Sequence, residues 1–398
     1  MNTSAENSIQ ILSNGKAVGW SSDTLFTQNA ARNALRFHRS LPGYRETELK
    51  SLSSAAQKYG VKAIYVKDES TRFGLKAFKG LGGSYAVFRC LCEKLGMDPT
   101  TAVYGDFQKD VIREQCGSIT FVTATDGNHG KGVAWAARLF GCRSHVFMPR
   151  GSVEARRQAI EAAGADTAVI TDLNYDGTVA YAGRLAEEKG WILVQDTAWE
   201  GYEDIPRWII EGYLTMASEA CEQMNGEIPT HVFLQAGVGA MAGGVAGYLI
   251  NRYGAARPAV TIAEPVAAAC VYLSAEAGDG RIHSVEGDPV TIMAGLNCGT
   301  PCSITWPVLR DGASFCCACN DCITEQGMRA YAYPEGDDPV IVSGESGAVT
   351  YGLLLSILQR EDLRNAWAID ENSVVLLIST EGDTDPEGYR RIVEQSPC

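Results

Sequence analysis

Short runs of β-branched residues alternate with helical patterns between residues 118 and 265, and this alternation constrains the fold more than any other feature of the sequence. The strand-like run SITFVTAT is followed by a helical pattern that closes at Gly141, and a second strand-like run, HVFMP, comes next. Strands that alternate with helices form parallel sheets with helices on their faces. The pattern returns near the C terminus in SVVLLIST. We therefore predict an α/β fold.

Composition and charge narrow the class of protein. The 398 residues are 45% hydrophobic and 21% charged, which is typical of a globular chain with a large core. The 34 Lys and Arg against 48 Asp and Glu give a net charge of −14, which opposes binding to nucleic acid or to an anionic membrane. The sequence has no apolar run of about 18 residues and no signal-peptide pattern at its start. We expect a cytoplasmic protein that acts on a small molecule, with no nucleic acid and no membrane partner.

The 13 cysteines are too sparse in a chain of this length to indicate a disulfide framework, so reduced thiols are expected. Four of them cluster at Cys316, Cys317, Cys319 and Cys322, where the last two form a C-x-x-C. A zinc site would need a second spaced pair or histidine partners nearby. The sequence offers neither close by, so we predict no metal here and buried or incidental thiols in a strand and turn.

Ligands of open α/β sheets bind beyond the carboxyl ends of the strands, so the turns there are the places to search. The first unusual turn is GVGAMAGG, Gly237 to Gly244, between a strand and a helix. Its glycines allow backbone N–H groups to face an anion at a helix N-terminus, which favours a phosphate. Two alternatives stay open: close packing of the helix, or a dinucleotide site with Glu264 on the ribose, although Gly243 lies one residue late for that fingerprint.

Two further turns carry side chains suited to a small ligand. In TDGNHG, residues 125–130, Asn128 offers both a donor and an acceptor, and Asp126 offers a carboxylate or a helix cap. In STEGDTD, residues 379–385, a hydroxyl could bond a ring nitrogen or cap the next helix.

The fourth turn, residues 72–86, is rich in lysine, phenylalanine and glycine. A lysine beside an aromatic ring and before a glycine-rich turn can lose water, which lowers its pKa and favours covalent bonding to a carbonyl carbon. The residues alone do not choose among Lys67, Lys76 and Lys79.

Together these segments resemble the fold-type II family of pyridoxal 5'-phosphate (PLP) enzymes. FKGLGG resembles the lysine motif of that family, DGNHG its asparagine loop and GVGAMAGG its phosphate loop, in the family's order. Further segments between about residues 43 and 390, among them QDTAWEGY and SGESGAV, resemble the diaminopropionate ammonia-lyase family. One departure is GYRETEL, where that family usually has prolines around the threonine.

The resemblance implies two open, twisted, mostly parallel sheets flanked by helices, in a large and a small domain. The implied large PLP-binding domain covers residues 1–78 and 200–398, and the small domain covers 79–199. Members of the family are typically homodimers, so a homodimer is expected.

The resemblance also implies roles for single residues. Lys79 would bind PLP covalently, Asn128 would bond its phenolic oxygen and Thr380 its pyridine nitrogen. A neutral hydroxyl at that nitrogen leaves the ring less electron-withdrawing than an acid would, which favours elimination over transamination. The remaining implied cofactor contacts are Phe78, Gly237, Val238, Gly239, Ala240, Met241 and Glu345.

Two carboxylates are expected to carry the proton transfers. Related dehydratases usually have serine or threonine before the Gly-Asn pair, whereas this chain has Asp126, and Asp196 ends the strand-like run WILVQD. Two acids beside the reacting centre can remove an α-proton or supply one to a departing amine. The resemblance assigns Asp126 to the D isomer and Asp196 to the L isomer of the substrate.

The predicted activity is the PLP-dependent elimination of D- and L-2,3-diaminopropionate to pyruvate and two ammonia, by a carbon–nitrogen lyase (EC 4.3.1.15). A serine/threonine dehydratase of the same fold is the alternative, disfavoured by Asp126. A nucleotide-binding oxidoreductase would explain GVGAMAGG but not the lysine loop, and a non-catalytic binding module would lack one of the paired groups. By resemblance, Cys270 and Cys298 are expected close enough to pair under oxidation.

Overall fold

A computed structural model of the chain describes residues 8–15, 20–125, 127–287 and 289–394. Its strands are β1 Ile9–Ser13, β2 Leu49–Ser51, β3 Ala63–Asp68, β4 Thr120–Ala124, β5 Arg143–Met148, β6 Thr167–Ile170, β7 Ile192–Leu193, β8 His231–Gln235, β9 Ala259–Pro265, β10 Phe315–Cys319 and β11 Val374–Ser379.

Its α-helices are α1 Gln28–Ser40, α2 Ser53–Tyr59, α3 Lys79–Leu95, α4 Asp110–Gly117, α5 Asn128–Phe140, α6 Glu154–Ala163, α7 Tyr175–Lys189, α8 Asp204–Gln223, α9 Ala240–Tyr253, α10 Cys270–Ala277, α11 Trp306–Gly312, α12 Asp321–Ala332, α13 Glu345–Leu358, α14 Glu361–Trp367 and α15 Pro386–Glu394. The predicted end of α5 at Gly141 is confirmed. Gly141 adopts the left-handed conformation (φ 75°) and its N–H bonds the Arg138 carbonyl, as a helix C-cap glycine does.

The chain divides into two compact units. The first, which we call the seven-stranded unit, comprises Met1–Gln28, Thr47–Thr71 and Glu219–Cys398. Its sheet has the order β1-β10-β9-β8-β11-β3-β2, and only the pairs at the two edges, β1 with β10 and β2 with β3, are antiparallel. β8 and β11 are parallel neighbours and are buried along their whole length, as expected of strands covered on both faces.

The second, the four-stranded unit, comprises Asn29–Glu46 and Arg72–Ser218. Its sheet has the order β6-β5-β4-β7 and is parallel throughout. Helices α3 and α5 approach closely because glycines meet at their contact. A Cβ added to Gly83 would lie 3.0 Å from the Gly132 carbonyl carbon, and one added to Gly132 would lie 2.9 Å from the Lys79 carbonyl oxygen. This contact fixes the start of α3 against α5.

The structure confirms the predicted α/β class with two mostly parallel sheets. It differs at WILVQD, where only Ile192–Leu193 forms a strand. Beyond that point the backbone bonds side chains: the Val194 carbonyl meets His129 Nε2 at 2.8 Å, and the Gln195 N–H donates to the Tyr202 hydroxyl at 2.8 Å. Within the described residues, no helix combines the length and apolar character needed to cross a lipid bilayer. The domain boundaries stay a prediction.

Candidate active site

Lys79 is the first residue of α3, and its amine forms an ion pair with Asp196 Oδ2 within the four-stranded unit. The amine lies 5.5 Å from the ring centroid of Phe78 and 5.9 Å from that of Tyr213. The Tyr213 ring fits there because residue 82 is a glycine: an added Cβ would lie 2.4 Å from the Tyr213 ring. Lys79 therefore sits among aromatic rings with a carboxylate at its tip.

The charges around Asp196 favour its ionised form. Burial alone would raise the pKa of this carboxyl, but the positive charge on His129, which is present only at low pH, and the charge on Lys79 lower it to about 2. Burial lowers the pKa of the His129 imidazole, so that ring is neutral at pH 7, and the Lys79 ammonium is the positive charge that Asp196 faces. His129 Nδ1 is 3.8 Å from Asp196 Oδ2 and has no hydrogen-bond partner within the described structure. The arrangement is a buried acid–base pair beside a neutral imidazole.

The other two candidate lysines have different surroundings. Lys67 is fully buried, where its amine contacts Glu219 Oε2 at 2.8 Å and donates to the Thr47 carbonyl at 2.7 Å and to Gln223 Oε1 at 2.9 Å. Such a fully coordinated ammonium stabilises the local packing and has no free hydrogen for chemistry. Lys76 is exposed to solvent. Of the three, Lys79 has the surroundings that a reacting amine needs.

The glycine-rich loop of the seven-stranded unit joins β8 to α9. Gly239 adopts a left-handed conformation (φ 80°), and the first helical bond runs from the Gly243 N–H to the Gly239 carbonyl at 2.8 Å. The N–H groups of Ala240 and Met241 thus precede the helical ladder, and the helix dipole favours an anion there. Val238 lies inside the loop, where its carbonyl accepts from the Cys302 N–H at 2.7 Å.

The loop is narrow as well as polar. A Cβ added to Gly237 would lie 3.2 Å from Cys298 Sγ, and one added to Gly239 would lie 2.7 Å from Leu309 Cδ1. A side chain at Gly239 would therefore collide with its surroundings, and one at Gly237 would be tightly packed. This donor set fits a phosphate group such as that of PLP.

Thr380 follows β11 directly and is buried. Its hydroxyl oxygen accepts a hydrogen bond of 2.9 Å from Gln235 Nε2, the last side chain of β8. Glu345 begins α13 and is buried near the same strand end, since a Cβ added to Gly347 would lie 3.1 Å from the Thr380 nitrogen. A neutral hydroxyl and a buried amide therefore lie at the end of β11, and the first turn of α13 is close by.

The asparagine loop lies at the start of α5. Asn128 is the first residue of that helix and is half-buried, whereas Asp126 lies outside the described residues. The Thr125 hydroxyl accepts from the N–H groups of Gly127 at 3.0 Å and Gly130 at 3.1 Å, which fixes the loop locally. The sequence predicts no role for Thr125, although a hydroxyl before a glycine-containing turn is a recognisable turn signal.

The cysteine predictions can also be placed. Cys270 and Cys298 form no disulfide bond in the described structure, and both approach Gly237: the Cys270 thiol is 3.5 Å from the Gly237 carbonyl oxygen, and a Cβ added to Gly237 would lie 3.2 Å from Cys298 Sγ. Cys316 and Cys317 are buried within β10. Among the described residues, no group of three or more His, Cys, Asp or Glu side chains is arranged to hold a metal ion.

Sequence reasoning missed three groups near the candidate residues. His129 belongs to the quoted loop TDGNHG but was given no role, and its position directly after Asn128 is the signal that could have suggested one. Tyr213 and Gln235 stand in an ordinary helix and strand, where nothing in the sequence separates them from structural residues.

The comparison with known proteins agrees with this geometry. Residues 41–381 match the family described as pyridoxal-phosphate dependent enzyme. Together with two mostly parallel sheets and a lysine at the start of a buried helix, the match defines a PLP-dependent enzyme of fold type II.

Relatives narrow the class further. The diaminopropionate ammonia-lyase of Salmonella typhimurium is 48% identical over 377 residues, covering 93% of each chain, and that of Escherichia coli K12 is 50% identical over 374 residues, covering 93% of this chain and 92% of the relative. The crystal structure of the E. coli enzyme in complex with the aminoacrylate-PLP azomethine reaction intermediate superposes with a TM-score of 0.89 at 47% identity, covering 97% of this chain and 96% of that one. The chain belongs to the diaminopropionate ammonia-lyase family.

Proposed function

We propose that this chain catalyses the PLP-dependent elimination of D- and L-2,3-diaminopropionate to pyruvate and two ammonia, as a carbon–nitrogen lyase. One observation carries the proposal. In this chain, which belongs to the diaminopropionate ammonia-lyase family, the buried, ionised carboxylate of Asp196 forms an ion pair with the amine of Lys79, the lysine of the family's lysine motif. The elimination needs a base for the α-proton and an acid for the departing amine, and this pair can supply both.

The cofactor residues that we propose combine a covalent attachment point with neutral hydrogen-bonding groups. Lys79 would hold the aldehyde carbon and Phe78 would pack beside it, while Asn128 would bond the phenolic oxygen. The phosphate would be bound by backbone N–H groups of Gly237, Val238, Gly239, Ala240 and Met241. Thr380 would bond the pyridine nitrogen, and Glu345 would line the ring. When bound, PLP supplies the electron sink for loss of the α-proton.

The side chains of this chain would then move the protons. The Asp196 carboxylate would accept an α-proton, and Lys79 beside it would pass a proton on. Asp126 would provide the second carboxylate. The α-hydrogens of the D and L isomers point to opposite faces of a planar system, so one fixed base cannot serve both equally. We propose that Asp126 serves the D isomer and Asp196 the L isomer.

The acid that the dinucleotide alternative requires is engaged elsewhere in the structure. Glu264, which that interpretation places on a ribose, accepts instead from the N–H groups of Val271 at 2.8 Å and Tyr272 at 2.7 Å. Each of its two oxygens is thus engaged at the start of α10. The serine/threonine dehydratase alternative needs only a different leaving group and is decided by assay.

We also propose a cytoplasmic homodimer with a large domain of residues 1–78 and 200–398 and a small domain of residues 79–199. Sedimentation at several protein concentrations tests the dimer, which a single monomeric species would contradict.

The activity is tested by pyruvate release from D- and L-diaminopropionate, with D- and L-serine and L-threonine alongside. We expect both diaminopropionate isomers to be the preferred substrates and the hydroxy amino acids to react slowly. Faster turnover of serine or threonine would replace the proposal by a dehydratase. A change of intrinsic fluorescence on adding NAD, with none on adding PLP, would point to the oxidoreductase.

A further inference from the structure

A buried amide, that of Gln235, donates a hydrogen bond to the Thr380 hydroxyl oxygen. Gln235 ends β8, and its side chain crosses to the neighbouring parallel strand β11, where Leu377 lies opposite Phe233. Two residues further along both strands, the same register brings Gln235 opposite Ser379. The Gln235 side chain reaches the next residue, Thr380. Gln235 is 2% exposed and Thr380 is 3% exposed, so water does not compete for their hydrogen bonds.

The carbonyl of Ile378 fixes which end of the amide faces β11. Gln235 Nε2 lies 3.0 Å from that carbonyl oxygen, which can only accept a hydrogen bond. The amide nitrogen must therefore point this way. Its second hydrogen goes to the Thr380 oxygen at 2.9 Å.

The same orientation leaves Gln235 Oε1 buried without a partner in the described structure. A buried acceptor without a donor costs about 1–3 kcal/mol. The reversed amide would place two acceptor oxygens, those of Gln235 and Ile378, against each other. The orientation with Nε2 toward β11 is thus the favoured one despite that cost.

The hydroxyl of Thr380 is left with one free hydrogen. Its oxygen already accepts from Gln235, and none of the described residues accepts from it in turn. A hydroxyl held in this way acts as a donor to whatever ligand atom it meets. A pyridine nitrogen can accept that hydrogen only through its lone pair, which means only while it carries no proton.

We propose that Gln235 is a positioning residue that fixes the Thr380 hydroxyl as a donor and so keeps the pyridine nitrogen of bound PLP unprotonated. This inference rests on the proposed function, since it needs the cofactor and the contact with Thr380. Neither Gln235 nor Thr380 is ionised, so their own effect on the ring nitrogen comes from the direction of hydrogen bonds. The carboxyl groups on the adjoining elements are Glu381, next to Thr380, and Glu345 at the start of α13, and the variants at Gln235 leave both in place. An unprotonated ring withdraws fewer electrons, which favours elimination over transamination.

The test uses the holoenzyme loaded with PLP that carries nitrogen-15 in its ring, and reads the nitrogen resonance between about pH 6 and pH 9. In the wild type, the resonance should stay at the unprotonated position throughout. In Gln235→Glu, an ionised carboxylate would accept the hydrogen of the Thr380 hydroxyl. The threonine oxygen would then accept a hydrogen bond from a protonated ring nitrogen, so the resonance should move to the protonated position. Gln235→Met, which keeps the shape but has no donor, should let the nitrogen titrate within this range.

Two controls isolate the hydrogen-bond direction. Thr380→Ser keeps the hydroxyl and should keep the wild-type resonance. Ser379→Ala removes a neighbouring buried hydroxyl, which donates to Ser343 Oγ at 2.8 Å, and should also leave the resonance unchanged.

The outcomes separate the two proposals. A wild type that binds PLP but shows a protonated or titrating ring nitrogen overturns the role of Gln235 alone, whether or not the variants fold. Variants at Gln235 that keep the wild-type resonance also overturn it. A wild type that binds no PLP overturns the proposed function and this inference together.

Discussion

The two units of the molecule offer different kinds of chemistry. In the four-stranded unit, the candidate residues are ionisable groups in direct contact, with the Lys79 ammonium on the Asp196 carboxylate and a neutral buried imidazole beside them. In the seven-stranded unit, the candidate cofactor groups are mainly backbone N–H groups, a hydroxyl and an amide. We therefore expect substitutions in the four-stranded unit to stop proton transfer. Substitutions in the seven-stranded unit should weaken or alter cofactor binding.

The largest effect should come from Lys79 in the four-stranded unit. Lys79→Ala should abolish the yellow, borohydride-reducible chromophore and reduce pyruvate formation to background, because the covalent attachment point is lost. Absorbance before and after borohydride, with the assay alongside, checks this. Lys76→Ala is the matched control, since Lys76 is exposed three residues away. Loss of the chromophore in Lys76→Ala and not in Lys79→Ala would show that the motif is mis-assigned.

The next effect concerns the two carboxylates. Asp126→Asn should lower turnover of the D isomer about 10²–10⁴-fold and largely spare the L isomer, and Asp196→Asn should do the reverse, because that is the usual cost of a lost general base. Initial rates with each isomer decide it, provided that cofactor absorbance survives in both variants. Equal losses on both isomers would assign the α-proton step to Lys79.

A smaller effect is expected from the phosphate loop of the seven-stranded unit. Gly239→Ala places a Cβ at a left-handed φ of 80° and 2.7 Å from Leu309 Cδ1. A left-handed alanine costs roughly 1–2 kcal/mol, so cofactor affinity should fall about tenfold while kcat at saturating PLP is kept. Titration of the apoprotein with PLP measures this. A lower kcat at saturating PLP with unchanged affinity for PLP would contradict the assignment of cofactor binding to the seven-stranded unit and of proton transfer to the four-stranded unit.

The smallest effect is a pH dependence shared by both units. Burial lowers the pKa of His129 in one unit and of His231 in the other, so each contributes stability that is present above about pH 6.5, the unfolded value, and lost as the pH falls. The free energy of unfolding should therefore decrease on acidification, by at most about 1.4 kcal/mol per pH unit for each histidine.

Chemical denaturation between about pH 5 and pH 8 measures that slope. His231→Gln should flatten it, since His231 is buried and its ring bonds the Trp367 carbonyl at 2.9 Å. His145→Gln is the comparison on a half-buried ring, for which a smaller change is expected. A slope unaffected by His231→Gln would assign the acid sensitivity to other groups.

The sequence predicted the fold class because the alternation of strands and helices depends on local patterns, and AVTIAEP coincides with β9. It did not predict the short β7, because the bonds that replace the strand come from Tyr202 and His129, which lie elsewhere in the chain. Lys79 and Asp196 were named through family resemblance, whereas their ion pair depends on tertiary structure. Gln235 could not be found at all, since its role depends on which atom of a neighbouring strand its amide faces.

The glycine contact between α3 and α5 has a mechanical consequence. Because backbone meets backbone at Gly83 and Gly132, neither helix can slide or rotate without collision, and no side chain is present to repack and absorb the motion. Lys79 and Asn128 begin these two helices. The candidate amine and the asparagine loop are thus carried by one stiff block, and attempts to broaden the range of accepted substrates should alter flexible segments outside it.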